Sequence, residues 1–190
     1  MSAEKVKRSI ERLAEKGLNK SQFFMKAVNE FLEDLKSISD FSTFSKNYRY
    51  FQISNGKLVK IAFLGAMPIK SIDKEFFIEV NDVNFFEIYQ SFINNINPNT
   101  FQNMPNLGSF SIIDSEINEL PENLFSANKK IYLIIVKLSP LSKISKEICD
   151  LQELMYVSFV DTNLPKELRR SFEEYEIEDF KSLVRKHFPD

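Results

Sequence analysis

The hydrophobic positions of this chain fall into a pattern that returns. From Leu107 it reads Leu107-x-x-Phe110-x-Ile112-x-x-Ser115-x-Ile117-x-x-Leu120-Pro121-x-x-Leu124, and the same skeleton recurs as Leu154-x-x-Val157-x-Phe159-x-x-Thr162-x-Leu164-Pro165-x-x-Leu168. Between them runs Lys130-x-x-Leu133-x-Ile135-x-x-Leu138, followed by Leu141, Ile144, Ile148 and Leu151. Upstream lie Val83-x-x-Phe86-x-Ile88-x-x-Ser91-x-Ile93-x-x-Ile96-x-Pro98-x-x-Phe101 and the fainter Ile61-x-Phe63-x-x-Ala66, continuing to Ile72 and Phe77. On this reading the first apolar residue of each central pair falls at 61, 86, 110, 133 and 157, in steps of 25, 24, 23 and 24.

Apolar residues two apart, as in Phe110-x-Ile112, project to one side of an extended chain and predict a short strand. Ile117, Leu120, Leu124 and Ala127 then come at steps of three or four and predict a turn with a loose helical segment returning over the back. One such unit buries too few side chains to offset the entropy of ordering its own backbone. Stacking supplies the remainder, because each strand finds backbone partners, and each apolar edge finds cover, in the neighbouring units.

A period of this length with Leu-x-x-Leu-x-Leu spacing resembles the leucine-rich repeat family, and the Leu-Pro-x-x-Leu halves resemble its common bacterial variety. The resemblance covers residues 61–168, a little over half of the chain. It implies an α/β fold, a right-handed leucine-rich-repeat solenoid whose parallel strands line a concave sheet. It names no partner. That family usually carries Asn after the second strand residue, where its amide ties down adjoining turns; the corresponding places here are Ala66, Ser91, Ser115, Leu138 and Thr162. Hydroxyls supply part of that bonding, whereas Ala66 and Leu138 cannot. Irregular loops are therefore expected, above all around Leu138-Ser139-Pro140-Leu141, where the unit reads with a displaced residue.

The flanks read as caps. Val6, Ile10, Leu13 and Ala14 share one face of a helix over residues 3–16, with Gly17 suited to the left-handed position behind it. Asn19, with Gln22 three residues on, is the expected cap of a second helix, whose stripe Phe24, Val28, Phe31, Leu32, Leu35 and Ile38 runs to about residue 38. Residues 39–47 read as a partly tucked connector. Residues 48–53 and 58–61 around Ser54-Asn55-Gly56-Lys57 predict a hairpin, since Asn-Gly accepts the positive φ angles of a tight turn. Ile177, Phe180, Leu183, Val184 and Phe188 predict a last helix that stops at Pro189. The expected division is an N-terminal helical and hairpin cap over 1–60, repeats over 61–168 and a C-terminal capping helix over 169–190.

Charge and composition narrow the functional classes. A formal net charge of −2 gives no global attraction to nucleic acid or anionic membrane, and the basic residues of the first helix are interleaved with Glu4, Glu11 and Glu15. Glu173, Glu174, Glu176, Glu178 and Asp179 read as a solvated face at a helix N-terminus, with an acidic docking patch as the other reading. No apolar run approaches the roughly 20 residues that span a bilayer, and no signal peptide is read. A single Cys149 leaves no intramolecular disulfide and favours the cytoplasm, with export by a route lacking a cleaved signal left open. The abundance of Asn, Ile, Lys and Phe points to an AT-rich bacterial genome. For an enzyme little is offered: His187 is the only histidine, Cys149 has no histidine beside it in sequence, and no Gly-rich phosphate loop or Cys cluster occurs. Neither a cofactor nor a metal is expected.

If the central pairs point inward, the residues around them line the concave face. The row after each pair reads Leu64, Tyr89, Ile113, Val136, Val160; the row between reads Ala62, Glu87, Ser111, Ile134, Ser158; the row before contributes Phe85, Ser109, Tyr132 and Tyr156. Charges stand at the border, at Asp114, Lys137 and Asp161. Aromatic and β-branched side chains on one rigid face make a protein-binding patch. The expected partner-contacting residues are therefore Leu64, Phe85, Tyr89, Ile113, Tyr132, Ile134, Val136, Tyr156 and Val160, and the expected function is an adaptor that binds a protein or peptide. The alternatives are a homodimer using the same face, and an exported host-directed effector or enzyme accessory subunit; the N-terminal segment covering that face is the structural counter-reading.

Overall fold

The computed structural model describes residues 3–65 and 69–189. Helix α1 (Ala3–Glu15) buries Val6, Ile10 and Leu13 on one face, and Gly17 turns the chain at φ +114°. A 3-10 turn, Leu18–Lys20, tucks Leu18 into the core. That turn displaces the expected cap: Asn19 lies inside it, and Ser21 is the extended residue whose hydroxyl accepts from the Phe24 N–H at 3.3 Å to start α2 (Gln22–Ser37). Among the described residues no helix is long and apolar enough to cross a membrane.

The strands follow as β1 (Lys46–Asn47), β2 (Phe51–Ser54), β3 (Lys57–Leu64), β4 (Ser71–Ile72), β5 (Phe85–Ser91), β6 (Asn95–Ile96), β7 (Ser109–Ser115), β8 (Leu133–Lys137), β9 (Tyr156–Ser158) and β10 (Ser171–Phe172), before helix α3 (Ile177–His187). Eight strands form one sheet in the order β1-β2-β3-β5-β7-β8-β9-β10. The hairpin β2–β3 turns at Asn55 and Gly56, both at positive φ. A Cβ on Gly56 would come within 2.3 Å of the Phe41 carbonyl oxygen. From β3 to β9 the pairing is parallel, and the chain climbs as a repeat solenoid of about four turns. On the opposite side β4 and β6 pair in parallel, and 3-10 turns at Lys74–Phe76, Lys146–Asp150 and Lys166–Leu168 complete the returns.

Register corrects one unit of the sequence reading. The paired positions are Ile61, Phe86, Phe110, Ile134 and Val157, so the steps are 25, 24, 24 and 23 and the fourth unit starts one residue later than Leu133. Its skeleton is Ile131-x-x-Ile134-x-Val136, with Ile131, Ile134 and Val136 all fully buried. Because side chains alternate along a strand, a one-residue slip exchanges the two faces.

The same shift repairs the ladder behind the strands. The place read as Leu138 is Ser139, whose hydroxyl donates to the Lys137 carbonyl at 3.0 Å and accepts from the Ser115 N–H at 3.4 Å, with the two hydroxyls 3.3 Å apart. Ser91 and Thr162 serve the neighbouring turns, bonding the Ile93 N–H at 3.2 Å and the Phe159 carbonyl at 2.9 Å. Ala66 lies outside the described residues. One residue before each hydroxyl the chain turns its corner in the left-handed region, at Gln90, Asp114, Leu138 and Asp161, and Gly65 turns the first.

Both ends are sealed. Helix α1 docks against the first return through Arg8 to Glu79 at 2.9 Å, Ser9 to the Ile78 carbonyl at 2.9 Å, Arg12 to the Glu75 carbonyl at 2.8 Å, and a Lys16–Glu75 ion pair. Helix α2 sets Phe31 edge-on to Tyr48 and Phe51. At the other end Phe180 of α3 packs against Phe159 and Phe172, and β10 pairs antiparallel with β9. Both outermost strands are only two residues long, which blunts edge-to-edge pairing.

Two substitutions test this framework by thermal denaturation. A Cβ at Gly108 would stand 2.4 Å from Asn84 Oδ1 and 2.6 Å from Tyr132 Cε1, so Gly108→Ala is expected to destabilise by about 1–3 kcal/mol. Leu138 is more than half exposed and holds φ 52°; Leu138→Asn relieves the left-handed cost and is expected to stabilise by roughly 0.5–1 kcal/mol.

Candidate functional site

The alternation that buries one face of the sheet projects a second set of side chains from the other. Following the pairings, the outward rows are Lys60, Phe85, Ser109, Leu133 and Tyr156, then Ala62, Glu87, Ser111, Ile135 and Ser158. The third runs Leu64, Tyr89, Ile113 and Lys137, with Val160 just beyond β9. Phe85 and Tyr89 are exposed; Leu64, Ile113, Leu133, Ile135, Tyr156 and Val160 are half-buried. No helix of either cap is part of these rows; Ser158 is fully covered, by β10, its hydroxyl 2.9 Å from that of Ser171, and Ala62 and Ser109 are buried as well.

Six of the nine expected contact residues lie on this open face: Leu64, Phe85, Tyr89, Ile113, Tyr156 and Val160. Three do not. Ile134 and Val136 are core residues with no exposed surface, turned inward by the register of β8. Tyr132 precedes the strand, its N–H bonded to the Gly108 carbonyl at 2.9 Å and its ring beside Gly108, so it stands on the flank in the space that the glycine leaves. In their stead Leu133 and Ile135 face outward. The signal for them is present in the sequence, since Ile131, Ile134, Val136 and Ser139 each stand 24 residues beyond Leu107, Phe110, Ile112 and Ser115.

Charge on the face is sparse. Lys60 Nζ meets Glu87 Oε2 at 2.7 Å, and Lys137 is half-buried at the end of β8 with no ion-pair partner among the described residues. Asp114 near the end of β7, and Glu116 and Asp161 beyond the strands, are exposed. Tyr156 donates its hydroxyl to Ser171 at 3.1 Å, which fixes its ring against the last rung.

Grooves lie beside the face and behind it. One of about 480 Å3 runs beside its edge between Gln52, Lys57, Asn84, Phe85 and Lys130, and another of about 420 Å3 lies by Tyr132, Met155 and Glu174. A further one, about 560 Å3, is on the back between Pro121, Lys143, Glu147, Asp150 and Phe188. Burial there raises Glu147 above the ordinary carboxylate range, partly opposed by the Phe125 N–H that it accepts at 3.2 Å. Elsewhere Cys149 is buried, its thiol donating to the Lys181 carbonyl at 3.6 Å and pushed up in pKa by that burial. His187 Nε2 lies 3.7 Å from Glu167.

No protein-family model matches the chain, and no curated protein matches it in sequence.

The buried carboxylate gives a signed pH test. A carboxyl whose folded pKa is raised favours folding while protonated, below its unfolded value, and loses that contribution as pH rises through the folded pKa. At pH 7 the ionised Glu147 therefore opposes folding, and Gln keeps an acceptor for Phe125 without the charge. Glu147→Gln is expected to raise Tm by about 1–3 °C at pH 7 and to leave it unchanged near pH 4 in paired melting curves.

Proposed function

We propose that this chain is a non-catalytic binding module of the leucine-rich-repeat type, and that it works by burying the open face of its parallel sheet against another protein. The repeat assignment is supported by equivalent strand positions 61, 86, 110, 134 and 157, by a left-handed corner in each unit at Gly65, Gln90, Asp114, Leu138 and Asp161, and by a hydroxyl ladder at Ser91, Ser115, Ser139 and Thr162 where that family places Asn.

The observation that carries the binding reading is the uneven treatment of the two sheet faces. Inward side chains are covered almost without exception, while the outward set keeps Phe85 and Tyr89 exposed and flanks Tyr89 with the half-buried Leu64 and Ile113. Exposed aromatic rings on a rigid strand lose little entropy on contact and contribute most of the energy in protein interfaces. Such an area on one side of a sheet is the kind of patch that a partner covers.

The test is affinity capture followed by identification of bound proteins, comparing the wild-type chain with a Phe85→Ser/Tyr89→Ala variant. The two sites face solvent, so melting temperature should shift by no more than about 2 °C. Recovery of the specific partner should fall at least about tenfold. Equal recovery by both proteins at equal melting temperature overturns the reading.

A further inference from the structure

The exposed aromatic area of the open face is concentrated on one strand. Phe85, Glu87 and Tyr89 all project outward from β5, and Phe85 and Tyr89 are 36% and 44% exposed. The strand beside it is low over part of its length: Ser109 and Ser111 of β7 stand opposite Phe85 and Glu87, and Ile113, opposite Tyr89, closes that end. Beyond β7, Leu133 and Ile135 of β8 rise again. Two serines thus form the floor of a recess whose aromatic and aliphatic walls are two strand spacings, about 9.6 Å, apart.

The aromatic wall has a carboxylate at its middle. Glu87 keeps more than a third of its side chain exposed; Lys60 engages Oε2, and no second partner occupies Glu87 among the described residues. An apolar side chain seated in the recess would strip water from this carboxylate and give nothing back. An acidic one would meet Glu87 directly and, at the strand ends, Asp114, Glu116 and Asp161. A cation suits both features, and a planar one suits them best: a guanidinium lies flat on an aromatic ring and bonds a carboxylate through its edge, whereas an ammonium satisfies the ring or the acid as a point charge.

We propose that this recess receives an arginine side chain of the partner protein, its guanidinium against the Tyr89 ring and sharing the Glu87 carboxylate with Lys60. The proposal rests on the reading of the open face as the binding surface and adds the chemistry of what it reads. Lys60 opposes the incoming charge and so sets an upper limit on affinity.

The probe is a library of short random peptides displayed for selection on the purified full chain, with recovered sequences synthesised and titrated. Recovered peptides should share one arginine. Replacing it by Lys should weaken binding about tenfold, Glu87→Gln in the protein should weaken it by a similar factor, and Lys60→Gln should strengthen it severalfold. Melting curves of each variant show that it is folded. Recovery of peptides without a shared arginine, or no enrichment at all, overturns the proposal. Peptides that bind Phe85→Ser/Tyr89→Ala as well as wild type overturn both this proposal and the open-face reading. Peptides lost on that variant yet indifferent to Glu87→Gln leave the face as the binding surface and overturn the arginine alone.

Discussion

Every turn of this protein is held by the contact between the two inward side chains of its strand and the equivalent pair on the strand beside it. Phe86 and Ile88 lie between Ile61 and Phe63 on one side and Phe110 and Ile112 on the other, and the returning segments close over them with Phe77, Phe101 and Phe125. The rings form an unbroken chain: Phe63 to Phe86 at 5.6 Å between centroids, Phe86 to Phe101 at 4.7 Å, Phe101 to Phe110 at 5.5 Å and Phe110 to Phe125 at 5.1 Å. Ring pairs at these separations add to the gain from simple burial. The arrangement couples each turn to its neighbours and to little else, so a turn without a neighbour on one side leaves an apolar edge bare. The aromatic residues of α2 and β2 and those of β10 and α3 answer that need at the two ends.

Regular stacking also demands that each turn leave its strand in the same way. The left-handed corner at Gln90, Asp114, Leu138 and Asp161 turns the chain within one residue, and the hydroxyls of Ser91, Ser139 and Thr162 just behind it bond backbone of their own turns. Between Ser115 and Ser139 that bonding also passes from one turn to the next. A serine or threonine reaches less far than an asparagine amide and has fewer hydrogen-bonding groups. Asparagine takes up part of the remaining work elsewhere: the buried Asn128 donates to the carbonyls of Phe101 and Met104 at 3.1 and 2.6 Å, and Asn103 to that of Phe77 at 2.7 Å. The turns are thus tied together at the back by amides and behind the strands by hydroxyls.

The period, the parallel strands and the helices and hairpin at the start were legible because each leaves a spacing that few other structures produce. Phe110-x-Ile112 and Val157-x-Phe159 each enclose a serine, so alternation fixes which way they face. Residues 131–136 are apolar without a break, Ile-Tyr-Leu-Ile-Ile-Val, and within such a run alternation says nothing about direction. The charged Lys130 invited a register one residue early, which sent Ile134 and Val136 to the wrong face and hid Leu133 and Ile135. Tyr132 could not be placed from its own neighbourhood at all, because its position depends on the missing side chain at Gly108 one turn away. The Ser21 cap was lost for a related reason: Asn19 satisfies the local pattern, but the burial of Leu18 against the first turn decides where the helix begins.

The division of labour between the two faces bears on what the open face can mean. Inward residues are constrained by their neighbours on both sides, and exchanging one disturbs three turns. Outward residues are held by fewer contacts, and stability asks of them chiefly solubility and strand propensity. A sheet under that demand alone would carry threonine and charged residues outward, as its exposed flank does at Lys129, Lys130 and Glu153. Placing Phe85 and Tyr89 astride Glu87, beside two serines and opposite Leu133 and Ile135, answers no requirement of the fold that the packing reveals. The outward pattern changes character from strand to strand while the inward pattern stays the same, and it is in that departure from repetition that recognition of a particular partner would have to be written.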